Sequence, residues 1–189
     1  MITTDSGALA PMTAFLRRLY FIRFAFAIVW AVVLIASGGT AGPLLTVLLV
    51  IYPLVDAASV LWQIRSEGAA SQPRVTEWIN VVVSVIVAIA LGVTSTVSVA
   101  AALGVWGAWA VVSGITQLIT AVLRRRAGGQ WPQILSGAIS VLAGGSFLLS
   151  AIHGATSMST VGGYAILGGV FFVISAIRLS ILLRRAARA

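Results

Sequence analysis

The sequence predicts an all-α polytopic membrane protein, with six transmembrane helices set as three parallel-oriented helical hairpins and both termini cytoplasmic. Three observations predict it. Of 189 residues, 60% are apolar and 8% charged, and the mean hydropathy is +1.09. A soluble domain keeps roughly a quarter of its residues charged, so this chain cannot cover itself with polar surface and its solvent is lipid. The apolar residues fall into six continuous runs, and the arginines recur at alternate breaks between them. Continuous rather than alternating runs favour helices, which satisfy their own backbone groups in lipid, over a barrel.

The elements follow in order. Residues 1–18 form an N-terminal tail without the basic start, apolar core and small-residue cleavage site of a signal peptide. The first span is therefore expected to remain as an uncleaved anchor. Spans over 19–37 and 43–63, joined by "SGGTAGP" (37–43), make the first hairpin, 19–63. A cytoplasmic loop, 64–76, leads to the second hairpin, 77–123, whose spans 77–94 and 97–123 are separated by the turn "GVTSTVS" (92–98). The basic loop 124–130 precedes the third hairpin, 131–183, with spans 131–152 and 158–183 joined by "HGATSMS" (153–159). A basic tail, 184–189, ends the chain. Glycine, proline and small hydroxyl residues mark each short break as a turn.

Orientation comes from the arginines. Arg17 and Arg18 precede span 1, Arg65 and Arg74 separate spans 2 and 3, Arg124 to Arg126 follow span 4, and Arg184, Arg185 and Arg188 follow span 6. The three short breaks contain no arginine. The positive-inside rule then puts both termini and both longer loops in the cytoplasm, as expected of a multi-pass protein of the bacterial inner membrane. Every basic residue is arginine, a usage that suits a GC-rich bacterial genome. The isoelectric point near 11.7 does not imply a nucleic-acid partner, because the basic residues lie in short clusters beside apolar runs. The expected partner is the lipid bilayer, with Arg124, Arg125 and Arg126 placed to meet anionic lipid at the cytoplasmic face.

The hairpins read as copies of one unit. A shift of 57 residues places "FIR" (21–23) on "WIN" (78–80) and "YPLVDAAS" (52–59) on "WAVVSGIT" (109–116). A shift of 53 places "WIN" on "WPQ" (131–133), and one of 62 places "SGITQL" (113–118) on "SAIRLS" (175–180). Units of two spans keep one orientation, unlike the inverted repeats of many transporters. The stretches "SGITQLITAVLRRR" (113–126), "GGQWPQILSGAISVLAGGSFLL" (128–149) and "LGGVFFVISAIRLSILLRR" (167–185) resemble the repeat of HdeD-type membrane proteins. That family is named for an acid-resistance member and has no assigned biochemistry. The resemblance implies a membrane fold and an association with acid stress, and it carries over no catalytic or ligand-binding residue.

One carboxylate stands out. Asp56 lies within "YPLVDAASVLW" (52–62), with no other charged residue between Arg23 and Arg65. Arg23 and Asp56 are equally far from the centre of the first turn, between Gly39 and Thr40. Antiparallel neighbours would carry both to one depth. The same count pairs Asn80 with Ser113, and the repeat puts Gln133 and Ser175 in those places in the third hairpin, so each copy has a polar pair and only the first makes it ionic. An unpaired charge at a span centre costs about 2.5–3.5 kcal/mol, so Asp56 is expected to meet Arg23. Arg178, a turn nearer the cytoplasm on span 6, is the rival or shared partner. The cluster of Asp56, Arg23 and Arg178 reads as a helix staple or as a proton- or ion-handling site.

Other features are weaker. His153, the one histidine, falls at the outer end of span 5, where it reads as polar filler or as an acid sensor. Small residues at four-residue spacing, Ser136/Ser140/Gly144, Ala165/Gly169 and Ala110/Gly114, allow close helix approach within the bundle or in a homo-oligomer. Trp30, Trp106 and Trp109 lie deep, as packing or lipid-facing residues. No catalytic residue, metal ligand set or cofactor site is expected: there is no cysteine, no HExxH, GxSxG or Walker loop, and only four acidic residues. The expected role is structural or stress-protective without catalysis, and the alternative is a small transporter or proton- or ion-conducting protein.

Overall fold

A computed structural model describes residues 6–66, 75–123, 131–186 and 188. It contains six helices, α1 (Ser6–Ala36), α2 (Pro43–Ser66), α3 (Val75–Val97), α4 (Val99–Leu123), α5 (Trp131–Ile152) and α6 (Ser159–Ala186), and no strand among the described residues. Each helix is long and apolar enough to cross a membrane.

Two boundaries differ from the sequence reading. Helix α1 starts well before residue 19, because Phe15 packs edge-on against Trp62 of α2 at 5.3 Å and holds the arginine-bearing turns on the bundle. Residues 92–97 are helical rather than a turn, leaving Ser98 alone between α3 and α4. The hydroxyls there serve the helix. Thr94 donates to the Ala90 carbonyl at 2.8 Å, Ser95 to Gly92 at 3.1 Å and Thr96 to Val93 at 2.7 Å. Such back-bonding satisfies the hydroxyls within the helix itself. Ser98 then caps α4, its Oγ accepting from the Ala101 amide at 3.0 Å.

The helices form a closed ring in chain order, each touching its two neighbours, with α6 returning to α1. Among the described residues no backbone contact crosses the ring. Close and loose contacts alternate around it. The close pairs are α2/α3, α4/α5 and α6/α1; the pairs joined by short turns, α1/α2, α3/α4 and α5/α6, approach less extensively. The close packing thus falls across the longer connections and the termini, not within the units read as hairpins.

Glycine explains the closest pair. A Cβ on Gly107 would lie 2.8 Å from the Gly144 carbonyl oxygen, and one on Gly144 would lie 2.7 Å from that of Gly107. Gly114 and Gly137 repeat the arrangement at 2.7 and 2.9 Å. Small residues let the two backbones touch and gain dispersion and Cα–H···O contacts. On α6, a Cβ on Gly162 would lie 2.6 Å from Ile35 Cγ1 and 3.2 Å from the Ala31 carbonyl oxygen of α1, whereas Gly169 is in ordinary contact with α1 side chains. The small-residue stripes containing Gly114, Gly144 and Gly169 therefore serve the internal bundle.

The apolar core sits at one end of the ring. Trp30, Leu34, Leu49, Leu91, Leu103 and Val161 are buried there with Met158. The turns at that end clasp each other. The Met158 amide donates to the Gly39 carbonyl at 2.9 Å, and Ser157 Oγ donates to Gly38 at 2.5 Å. Gly39 needs to be glycine: its φ is +57°, and a Cβ would sit 2.7 Å from the Ser159 nitrogen. Arg17, Arg18, Arg65, Arg184 and Arg185 lie on the helix ends away from this core.

Candidate functional site

The half of the ring opposite the apolar core encloses a cavity of about 370 Å3 to which all six helices contribute. Its charged feature is one ion pair. Arg23 Nη2 donates to Asp56 Oδ1, with the two side chains 18% and 14% exposed. Ser84 of α3 donates to the other carboxylate oxygen, Oδ2, at 3.1 Å. The Arg23 guanidinium lies over the Phe172 ring of α6, 4.3 Å from its centroid. One carboxylate and one guanidinium therefore tie α6, α1, α2 and α3 together at a single level.

Geometry supports each contact. Along the antiparallel α1/α2 pair, Phe15 meets Trp62, Arg23 meets Asp56 and Phe26 meets Tyr52, a nearly constant register that follows from the short Gly-rich turn. Pro53 sits inside α2 and removes the amide that would bond the Leu49 carbonyl. At the neighbouring carbonyl, Leu48, the Trp30 indole donates from α1 at 2.7 Å.

The floor of the cavity is aromatic. Trp30 and Trp106 stack at 5.5 Å and 14°, and Trp106 also contacts Tyr52 at 5.3 Å and Trp109 at 5.4 Å. These side chains bridge the ring centre where no backbones meet, and they separate the apolar core from the polar half. The deep tryptophans are thus packing residues, Trp30 3% exposed and Trp106 fully buried, and Trp106 and Trp109 also border the cavity. The two stacked indoles differ in one respect. Trp30 Nε1 has its carbonyl, whereas Trp106 Nε1 is buried with no hydrogen-bond partner among the described residues. An unsatisfied buried donor costs about 1–3 kcal/mol.

Of the expected polar positions, Asn80, Ser113 and Ser175 line the cavity, and Asn80 and Ser113 are also exposed on the bundle surface. The side chain of Gln133 and the residues Arg124, Arg125 and Arg126 lie outside the described residues. Arg178 does not join the cluster. It is exposed, and among the described residues Asp56 pairs with Arg23 alone. Its position follows from helix periodicity, one turn beyond Ser175 on α6 and too far toward the arginine-bearing end. Ser136 and Ser140, read from the sequence as packing residues, line the cavity instead, and Ser140 Oγ lies 3.0 Å from Tyr164 Oη. His153 is exposed in the turn after α5.

Ser84, Gln117, Tyr164 and Phe172 also belong to the site, and counting outward from the turn centres does not reach them. Gln117 has a signal in the sequence, as an amide inside an apolar run. Ser84, fully buried, has the same weak signal within "NVVVSVIVAIALG" (80–92).

Residues 79–149 match a family model described as a short repeat of unknown function (DUF308), a membrane-associated repeat. The match covers less than half of the chain. No curated protein and no solved structure matches it. The matched segment runs from within α3 to Leu149 of α5 and includes both glycine crossings of α4 and α5. The chain is a multi-pass membrane protein, and its residues 79–149 are similar to this repeat.

Proposed function

We propose that the protein binds a small solute in the cavity and serves as a small carrier rather than a catalyst, with the cavity open at the arginine-bearing end. The positive-inside rule makes that end cytoplasmic. One observation carries the reading: all six helices contribute to a cavity confined to one half of the ring, while an apolar core and the clasped turns close the other half. A helix staple accounts for Arg23, Asp56 and Ser84, but it gives no reason to keep Asn80, Ser113, Gln117 and Ser136 around empty volume in lipid, where polar side chains are costly. Membrane transporters bind their cargo near the middle of the helix bundle in such cavities. The stress-protective role implied by the HdeD-type resemblance would be one use of a carrier, and it rests on that resemblance alone.

The chain contains no cysteine, so any introduced thiol is the only one. Single variants Ser113→Cys and Ser136→Cys, in sealed vesicles of known orientation, should react with a membrane-impermeant maleimide added on the arginine-bearing side. Leu103→Cys, in the apolar core, should stay protected, and Thr156→Cys, exposed in the turn after α5, should react from the opposite side. Cavity cysteines that remain as protected as the Leu103 variant from both sides, while the Thr156 variant reacts, would remove the reading.

A further inference from the structure

We infer that the outer face of α1, at the arginine-bearing end, binds one anionic phospholipid of the bilayer. The site is separate from the central cavity and does not rest on the carrier reading. It is a groove of about 740 Å3 along α1. Ala14, Arg18, Phe21, Ile22 and Ala25 fall at helical spacing on one face of α1 and line it, with Arg17 beside them. Trp62 of α2 and Ser180 of α6, from the two helices that flank α1 in the ring, complete it. This face is turned away from the bundle. Ala27 and Trp30, on the opposite side of α1, are buried, whereas Phe21 and Ile22 are exposed.

Charge selects the headgroup. Arg17 and Arg18 both line the groove, and neither has an ion-pair partner among the described residues. Arg17 is half-buried there. Of the described acids, Asp56 is held by Arg23, and Glu77 lies in the first turn of α3, which does not touch α1. Two adjacent guanidiniums suit a phosphodiester, whose oxygens accept hydrogen bonds and carry the opposite charge. Trp62, half-exposed and met edge-on by Phe15, supplies the indole that favours the headgroup layer. The apolar part selects a lipid over a soluble anion. Beyond the arginines the groove offers Phe21, Ile22 and Ala25, and the same face continues to the exposed Val29. Arg18 to Val29 is eleven residues, about 16 Å of rise, and one leaflet of hydrocarbon is about 15 Å deep. Ala25, small between Phe21 and Val29, leaves room for an acyl chain. A free phosphate would meet the arginines and leave that stretch unused.

The test places one fluorophore at the end of the groove. Val29→Cys, in a chain without other cysteines, carries a bimane in full-length protein in vesicles of phosphatidylcholine and phosphatidylglycerol. Phospholipids brominated at mid-chain quench bimane on contact. Comparing brominated phosphatidylglycerol with brominated phosphatidylcholine therefore gives their relative affinity at that spot. Leu142→Cys, 75% exposed on α5 and eleven residues from Trp131, samples bulk lipid at a similar depth. Phosphatidylglycerol should be preferred at Val29 by at least about fivefold, the effect of one arginine near a charged headgroup, and at Leu142 by less than about twofold. Arg17→Gln/Arg18→Gln should abolish the preference at Val29, and each single variant should reduce it. Arg124→Gln/Arg125→Gln, which removes the same charge from the loop 124–130, should leave it unchanged. Soluble glycerol phosphate, a headgroup without chains, should not relieve the quenching.

No preference at Val29 would overturn the site. An equal preference at Leu142 would overturn it too, since a basic protein would then gather anionic lipid all around. An equal loss in Arg124→Gln/Arg125→Gln would remove the assignment to Arg17 and Arg18. Relief of quenching by glycerol phosphate would replace the lipid with a soluble phosphate ester as the ligand of the two arginines.

Discussion

Asp56 is a carboxylate in an apolar helix that has been given two donors from two other helices, Arg23 on α1 and Ser84 on α3. Interhelical polar contacts in membranes average about 0.6 kcal/mol and reach about 2, so this network orients helices more than it holds the bundle together. An Arg23→Ala/Asp56→Ala double-mutant cycle, read by unfolding in mixed micelles, should give a coupling of about 1–2 kcal/mol. Asp56→Asn should cost less than Asp56→Ala, because the amide can still accept from Ser84. Zero coupling would mean that each charge finds water instead. The pairing with Arg23 is legible in the sequence because the turn between α1 and α2 is short and its centre can be counted. The contact with Ser84 is not. Ser84 reaches Asp56 across the longer connection 67–74, where no count fixes how far α3 is rotated or shifted against α2.

Two adjacent glycines on α5 show what decides packing at the level of the element. Gly144 faces α4, and a Cβ there would meet the Gly107 oxygen at 2.7 Å and the Val111 nitrogen at 2.8 Å. Gly145 faces open space, with nothing within 4 Å of its Cβ position. Gly144→Ala should therefore destabilise the protein by about 1–3 kcal/mol through overpacking. Gly145→Ala should be neutral or stabilising by up to about 1 kcal/mol, since alanine is the better helix former. Opposite signs for neighbouring substitutions in one thermal-unfolding series would establish the crossing, and equal small effects would argue against it. Four-residue spacing of small residues picks out Gly114 and Gly144 but misses Gly107 and Gly137. Their spacing of seven, Gly107 to Gly114 and Gly137 to Gly144, is two turns of one face, and it is the better signal for an antiparallel crossing.

The whole ring is asymmetric along its axis, and the clasp between the turns is part of that asymmetry. Gly38 and Gly39 both have positive φ, 72° and 57°, so alanine is strained at either position. Only Gly39 also abuts backbone, with Met158 and Ser159 atoms 2.7–2.9 Å from a Cβ, whereas Gly38 has a side-chain methyl at 3.8 Å. Gly38→Ala should cost about 1–2 kcal/mol, and Gly39→Ala should cost at least about 1 kcal/mol more. Gly39→Ala should also expose Leu103→Cys to thiol reagents from the turn side, since the clasp caps the apolar core. Protection of that cysteine in both variants would show that the core stays closed without the clasp.

Six membrane-crossing helices and the Arg23–Asp56 register follow from the sequence because partition into lipid and position along a helix are local and additive: each residue adds its own transfer energy, and each adds about 1.5 Å of rise. Which face each helix turns inward is not local. At about 100° per residue, a small rotation moves a side chain from a neighbouring helix to the ring centre or to lipid. That rotation is set by the glycine crossings and the aromatic bridge across the middle, contacts between residues far apart in the chain. Only the tertiary structure therefore decided that Ser136 and Ser140 face a cavity, that Arg178 lies outside the charge cluster, and that Trp106 keeps an indole N–H without a partner among the described residues.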